Sequence, residues 1–359
     1  MSTLLNSYGW SDTLQQQFQP HAARGLSPAR VIIQQRGHYV LATPAGEATA
    51  QLAGRFAHAA EAGAYPVAGD WVAAAVRPAE GSATIHAVLP RRSAFLRKAA
   101  GGGHAAQVVA ANADVAFLVA SLNADLSARR IERYLATAWD SGASPVVVLT
   151  KADLCPDAGM RKAEIEAVAI GVPVCVVSAV TGKGLDALAR CFAPGQTAAL
   201  LGSSGVGKSS LVNALAGASL MATREIREDD ARGRHTTTHR QLVLLPSGHL
   251  VLDTPGMREL GLWDADAGVA TTFADVETLT ATCRFSDCAH ETEPGCAVRA
   301  ALADGTLDGD RWRSYGKLQR ELAHLARKDD PRERAEQRKV WIQRAKNYRA
   351  QKRHRMEDD

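Results

Sequence analysis

Apolar positions change their spacing three times along this chain. Residues 1–29 are polar and rich in glutamine, the composition of a flexible, partly ordered segment. From there to residue 90 the apolar residues gather in short runs broken by glycine: VIIQQ, HYVLAT, GDWVAAAV and SATIHAVLP. Such runs between turn residues predict strands at the spacing of a small barrel. A five-stranded oligonucleotide-binding (OB-type) barrel is the expected fold of residues 30–92. A basic connector, Arg91 to Lys98, then leads to Gly101-Gly102-Gly103. Beyond it, buried apolar runs alternate with amphipathic ones. Strands are expected at 113–120, 145–149, 173–177, 197–201, 240–245 and 250–252, with helices at 128–139, 160–169, 185–190 and 209–215. That rhythm predicts a mostly parallel sheet with helices on both faces, an α/β domain over residues 100–262. After Gly261 the strand text stops. Residues 263–328 carry a cysteine cluster and a helix expected at 315–326, and residues 329–359 form a basic, charged tail. An exposed helix and a disordered segment fit that tail equally.

At 359 residues and 46% hydrophobic content, the chain has room for two or three ordinary globular domains. Its net charge of +4 is too mild to argue for a nucleic-acid partner by itself. The basic excess is local, densest at residues 346–355. No apolar stretch is long enough to cross a bilayer, and the N-terminus lacks the features of a signal peptide. A cytoplasmic location is expected, with no membrane partner, and nothing requires more than a monomer.

Residues 202–209, GSSGVGKS, fit the phosphate loop G-x-x-x-x-G-K-[ST] and fall between an expected strand and helix. Backbone amides of Gly202, Ser203, Ser204, Gly205, Val206 and Gly207, with the helix start at Ser209 and Ser210, would face phosphate charge. Lys208 would reach the β and γ phosphates, and Ser209 would bind Mg²⁺. Asp253 ends a strand in Asp253-Thr254-Pro255-Gly256. It would hold Mg²⁺ through water, while the Gly256 amide senses the γ-phosphate. Thr150-Lys151-Ala152-Asp153 ends another apolar strand. Its Asp153 carboxylate can accept from guanine N1 and N2, a donor pair that adenine lacks, and the Lys151 stem can cover the base. Ser178-Ala179 is placed to support the base oxygen through a backbone amide. In Ras-like GTPases the phosphate loop precedes the guanine segment, and here the order is reversed.

Switch I must fall before the strand at 240–245, and Gly233-Arg234-His235-Thr236-Thr237-Thr238 is its candidate. One of Thr236, Thr237 and Thr238 would complete the Mg²⁺ shell; Thr237 is the named candidate, and the sequence does not select among the three. Met257 stands where Ras-like enzymes carry the glutamine that orients water, and a thioether cannot do that. His235, or a group from a partner, would substitute. Slow basal hydrolysis with strong activation by a macromolecule is the expectation.

Cys283-x4-Cys288-x-His290-x5-Cys296 brings three thiols and an imidazole into one short segment. That is the ligand set of a closed, structural, tetrahedral zinc site, whose metal contributes folding energy.

Together these motifs resemble the circularly permuted, ribosome-small-subunit-dependent GTPases of bacteria. The resemblance extends from the barrel, with Gly69-Asp70-Trp71-Val72, through TKAD, SA, GSSGVGKSS, GRHTTTH and DTPG to the cysteine knuckle. It implies a circularly permuted P-loop GTPase domain, an N-terminal OB-type barrel and a C-terminal helical zinc-binding domain. It also implies binding to 30S particles and 16S rRNA late in subunit maturation, with GTP hydrolysis stimulated by the subunit. The barrel, the 91–98 connector and the 346–355 tail are the expected RNA contacts. The family usually has asparagine at the position of Thr150, which implies weaker guanine affinity here. The alternative function is a GTP-dependent assembly scaffold with little turnover.

Overall fold

The computed structural model describes residues 3–35, 37–60, 63–98, 106–123, 126–221, 240–253 and 265–329. In the first part, inward-facing residues alternate with outward-facing ones along five strands: β1 (Ser27–Gln35), β2 (His38–Thr43), β3 (Gly46–Leu52), β4 (Trp71–Arg77) and β5 (Ser82–Val88). The pairs Ala29/Val31, Tyr39/Leu41, Ala48/Ala50, Val72/Ala74 and Ala83/Ile85 form one buried cluster, the two-residue period of a pleated strand. Five of these ten side chains are alanine, small enough for a narrow barrel. The order β1-β2-β3-β5-β4 closes through a β1–β4 pairing, with β3 and β5 parallel and the other barrel pairs antiparallel.

The N-terminal residues are more ordered than their polar composition suggests. They form helices Thr3–Ser7 and Asp12–Ala22, the second capped by the Ser11 hydroxyl, which accepts from the Leu14 amide. Leu5, Leu14 and Phe18 are buried, and Trp10 meets Trp71 edge-on at 4.9 Å. The i, i+4 spacing of Leu14 and Phe18 provides the apolar stripe.

The connector after the barrel is the first arm of a hairpin, β6 (Ala94–Lys98) against β7 (Ala106–Ala111). Its two leading arginines have internal partners. Arg91 makes a bidentate pair with the buried Asp70 carboxylate, and Arg92 lies 3.2 Å from Asp114.

Next come β8 (Val115–Ser121), β9 (Ser144–Thr150), β10 (Val174–Val176), β11 (Thr197–Leu201), β12 (Arg240–Leu244) and β13 (Leu250–Asp253). They lie in the order β10-β9-β8-β11-β13-β12, parallel except for β12. Along β8, Val115, Phe117 and Val119 enter one core and Ala116, Leu118 and Ala120 another. Both faces are covered, so the strand reads as a continuous apolar run. The barrel strand β1 then pairs antiparallel with β12, Ile33 opposite Gln241, so barrel and α/β sheet continue into each other as an 11-stranded sheet.

Arg30 sits at that junction, fully buried. Its guanidinium donates to Thr197 Oγ1 at 2.8 Å, Asn112 O at 3.2 Å and Gly69 O at 3.3 Å, and also to Tyr8 O. It lies 5.1 Å from the Trp71 ring. Burial draws its pKa down to about 10, with the charges of Asp114 and Asp70 opposing that fall, so it stays protonated at neutral pH.

The C-terminal part is helical: Asp266–Thr272, Ala274–Ala281, Ala297–Asp304 and Gly309–Asp329. It docks on helix Ala128–Ser141 of the α/β domain. At Gly268 the two helices come so close that a Cβ would lie 2.0 Å from Ala136 O. Arg311, over the Phe273 ring, pairs with Asp275 at 2.6 Å and with the buried Glu132 at 3.0 Å. Arg133 grips Glu321 with both nitrogens, at 2.7 and 2.6 Å. Among the described residues no helix is long and apolar enough to cross a membrane.

Arg30→Met should leave buried acceptors on four separated segments without a donor. A stability loss of about 3 kcal/mol is expected, read as a lower urea midpoint with an unchanged slope. An unchanged midpoint would remove Arg30 from its place at the junction.

Candidate nucleotide site and metal cluster

Strand β11 is buried along its whole length between β8 and β13 and delivers the chain into the phosphate loop. Gly202 leaves the strand at φ 151°, and a Cβ there would stand 2.3 Å from Val119 O, so glycine alone fits. Val206 is buried in the core beneath the loop. Helix Lys208–Ala216 starts directly after Gly207, placing Ser209 and Ser210 in its first turn. The Lys208 ammonium donates to Gly202 O at 2.7 Å and Ser203 O at 2.6 Å, folded across the loop. Arg130, from the start of helix Ala128–Ser141, reaches Ser203 Oγ at 3.4 Å.

The TKAD segment meets this loop directly. Thr150 ends β9, and its hydroxyl donates to Val206 O at 2.6 Å, with Ala120 O at 3.2 Å. Lys151 takes a left-handed conformation, φ 60°, which turns the chain into the short helical turn Ala152–Leu154. There Asp153 is exposed and accepts from the Ser178 hydroxyl at 2.6 Å. That hydroxyl accepts in turn from the Thr181 amide, while the Ser178 amide donates to Lys183 O at 2.9 Å. Ser178 thus holds the Asp153 carboxylate through its side chain, a role the sequence reading missed. The available signal was position: both residues follow the ends of neighbouring strands, β9 and β10.

Asp253 closes β13 opposite Gln241 of β12, and β13 is the other neighbour of β11. The structure therefore brings Ser178 and Ala179 after β10, Thr150, Lys151 and Asp153 at the end of β9, residues 202–210 after β11 and Asp253 at the end of β13 to the same sheet, with β8 between β9 and β11. His235, Thr236, Thr237, Thr238, Gly256 and Met257 lie outside the described residues, as does the tail after residue 329.

The thiols of Cys283, Cys288 and Cys296 and an imidazole nitrogen of His290 all lie within 4.8 Å of one another. His290 Nδ1 is 3.5 Å from both Cys283 Sγ and Cys296 Sγ, which are 3.9 Å apart. Ligands about 2.0–2.3 Å from a tetrahedral ion stand about 3.4–3.8 Å from each other, so the group can hold one metal ion. Cys296 caps helix Ala297–Asp304, its sulfur accepting from the Arg299 amide. Burial pushes the Cys283 thiol up, but the Val298 and Ala297 amides together with the Cys296 and Cys288 thiols hold it below its ordinary value. Trp312 stands edge-on to the His290 ring at 5.4 Å.

A phosphate loop on a central strand, a guanine-type segment preceding it in the chain, a closed barrel before both and a metal-binding helical part after them define a circularly permuted GTPase. Residues 88–263 match the sequence profile described as RsgA GTPase. The small ribosomal subunit biogenesis GTPase RsgA of Opitutus terrae is 52% identical over 337 residues, covering 91% of this chain and 92% of that protein. The protein of the same name from Streptomyces coelicolor is 47% identical over 343 residues, covering 95% and 92%. This chain belongs to the RsgA GTPase family. The crystal structure of YjeQ from Thermotoga maritima is similar at TM-score 0.62 and 26% identity, covering 83% of this chain and 99% of that one. YloQ, described as a circularly permuted GTPase, shares the fold at TM-score 0.59 and 23% identity, covering 83% and 96%.

Thr150→Val keeps the side-chain volume and removes the bond to the phosphate loop. It is expected to weaken GDP binding about tenfold, or about 1.4 kcal/mol, while Thr150→Ser retains affinity. Ser178→Ala should narrow the preference for GDP over ADP in the same titrations by freeing Asp153.

Proposed function

We propose that this GTPase serves maturation of the small ribosomal subunit, binding the 30S particle and its 16S rRNA and hydrolysing GTP faster when bound. The observation that carries the GTP reading is the bond from Thr150 to Val206, which joins the guanine segment to the phosphate loop. The subunit comes from the relatives' shared name at up to 52% identity. A cytoplasmic monomer fits both.

In this reading the loop amides and Lys208 hold the phosphates. Asp153, braced by Ser178, selects guanine; Lys151 covers the base; and the Ala179 amide meets the base oxygen. Ser209, Asp253 and Thr237 hold Mg²⁺, which neutralises charge on the β and γ phosphates when bound. His235 orients the water in place of the glutamine that Met257 lacks, and Gly256 senses the γ-phosphate. Cys283, Cys288, His290 and Cys296 hold one structural zinc, a ligand set of thiols and imidazole that suits this ion.

GTP hydrolysis by the purified protein should be slow alone and rise by about tenfold or more with isolated small subunits. Large subunits and ATP should give no such rise. A fast basal rate, or equal stimulation by both subunits, would overturn the reading. The purified protein should also carry one zinc per chain by elemental analysis. Cys288→Ser should lose the zinc and lower the Tm, because the metal contributes to folding. Metal content unchanged by that substitution would remove Cys288 from the ligand set.

A further inference from the structure

Between the barrel and the β6–β7 hairpin lies a cavity of about 360 Å³ that GTP chemistry does not use. Gln34, Gln35, Tyr39, Tyr65, Gln107 and Arg240 give it its polar lining. The Asp70 carboxylate behind the wall, bonded by the Val67 amide, is already paired with Arg91, which leaves the charge of Arg240 and Arg97 to be met. Arg240 donates to Gln34 Oε1 at 3.1 Å and Val108 O at 3.3 Å, and Arg97 donates to Gln107 Oε1 at 3.1 Å. Among the described residues neither guanidinium pairs with a carboxylate. The Nε of Arg97 is buried with no hydrogen-bond partner. Burial and the nearby Arg97 charge both depress the Arg240 pKa. Two partly buried cations held close without a counter-charge oppose folding. An arriving anion relieves that opposition.

The walls say which anion. Glutamine amides both donate and accept, as the edges of a nucleobase do, and Tyr65 at 36% exposure offers a ring on which a base can stack. Guanidinium is the side chain best matched to phosphate. The volume lies at the small end of ligand pockets, roughly 300–1,000 Å³, the scale of one nucleotide. We propose that this cavity is a second ligand site, which takes a nucleoside phosphate with its phosphate on Arg240 and its base among the glutamines and tyrosines. Arg97, one hydrogen bond behind the wall at Gln107, adds charge. The ligand is a free mononucleotide, distinct from the rRNA contact of the proposed function. The site stands apart from the phosphate loop, yet Arg240 precedes Gln241, the β12 residue opposite Asp253.

The test fills the GTP site of the full-length protein with saturating GDP. The protein is then titrated with AMP, with UMP, with a fluorescein-labelled single-stranded octaribonucleotide and with inorganic phosphate. Binding of a mononucleotide supports the site, and binding of the octamer alone overturns it. Gln107→Glu should weaken mononucleotide binding about tenfold or more, because its carboxylate supplies the counter-charge beside Arg97 and repels the phosphate, with GDP affinity unchanged and the Tm equal or higher. If Gln107→Glu lowers the Tm, Arg240→Gln decides by the same criterion. The proposal is overturned if no nucleotide binds, if inorganic phosphate binds as tightly as the nucleotides, or if binding ignores the deciding substitution.

Discussion

A guanidinium sealed from water at the meeting of four segments sets the frame of this molecule. Among the described residues Arg30 has no carboxylate in direct contact; it is satisfied by carbonyls and one hydroxyl, from the turn after the first helix, the Gly69 turn, the Asn112 link and the first residue of β11. Leaving such a group half-satisfied in a buried setting costs more than its net worth when complete, so the four segments hold one mutual arrangement. Thr197 is doubly fixed, for its amide also donates to the Asp114 carboxylate at 2.8 Å. The strand that carries the phosphate loop is thereby anchored at its far end to the barrel. The loop's geometry and the barrel's position become one constraint.

At the opposite side, helix Ala128–Ser141 has the corresponding role for the C-terminal part. Its first turn reaches the phosphate loop through Arg130, and its later turns carry Glu132, Arg133 and Ala136, which receive Arg311, Glu321 and Gly268. Burial pushes the Glu132 carboxyl up, against the pull of Ser314 and Arg311. A rigid helix of 14 residues therefore touches both the nucleotide loop and the domain that carries the cysteine–histidine cluster. A buried charge pair is weak evidence for stability but favours one docking geometry over sliding alternatives.

The parts legible in the sequence were those written locally. The phosphate loop, TKAD and the cysteine knuckle each declare themselves within a few residues, and the long apolar strands of the α/β sheet do so by their length. Strand β3, GEATAQL, buries only alanines, which signal little. Helices Asp266–Thr272, Ala274–Ala281 and Ala297–Asp304 are too short for a clear helical period. Arg91 and Arg92 read as a surface for phosphates because their partners, Asp70 and Asp114, are about twenty residues away. The bracing of Asp153 by Ser178 was hidden for the same reason, since it spans 25 residues. Pairings between distant residues are consequences of topology, and no local pattern announces them.

The junction at Arg30 also imposes an order in time. Thr197 follows Arg30 by 167 residues, and β1 needs β12, whose first residue lies 206 positions after Gln34. At about 5–20 residues per second of synthesis, the barrel waits roughly 10–40 s with a hydrated arginine and one bare strand edge before its partner emerges. The permuted order lengthens that wait, because β11, which brings Thr197 to Arg30, and β12, which pairs with β1, both follow the guanine segment. The nascent barrel must tolerate an exposed edge, and its narrow alanine-rich interior and early closure through β4 leave little sticky surface while it does.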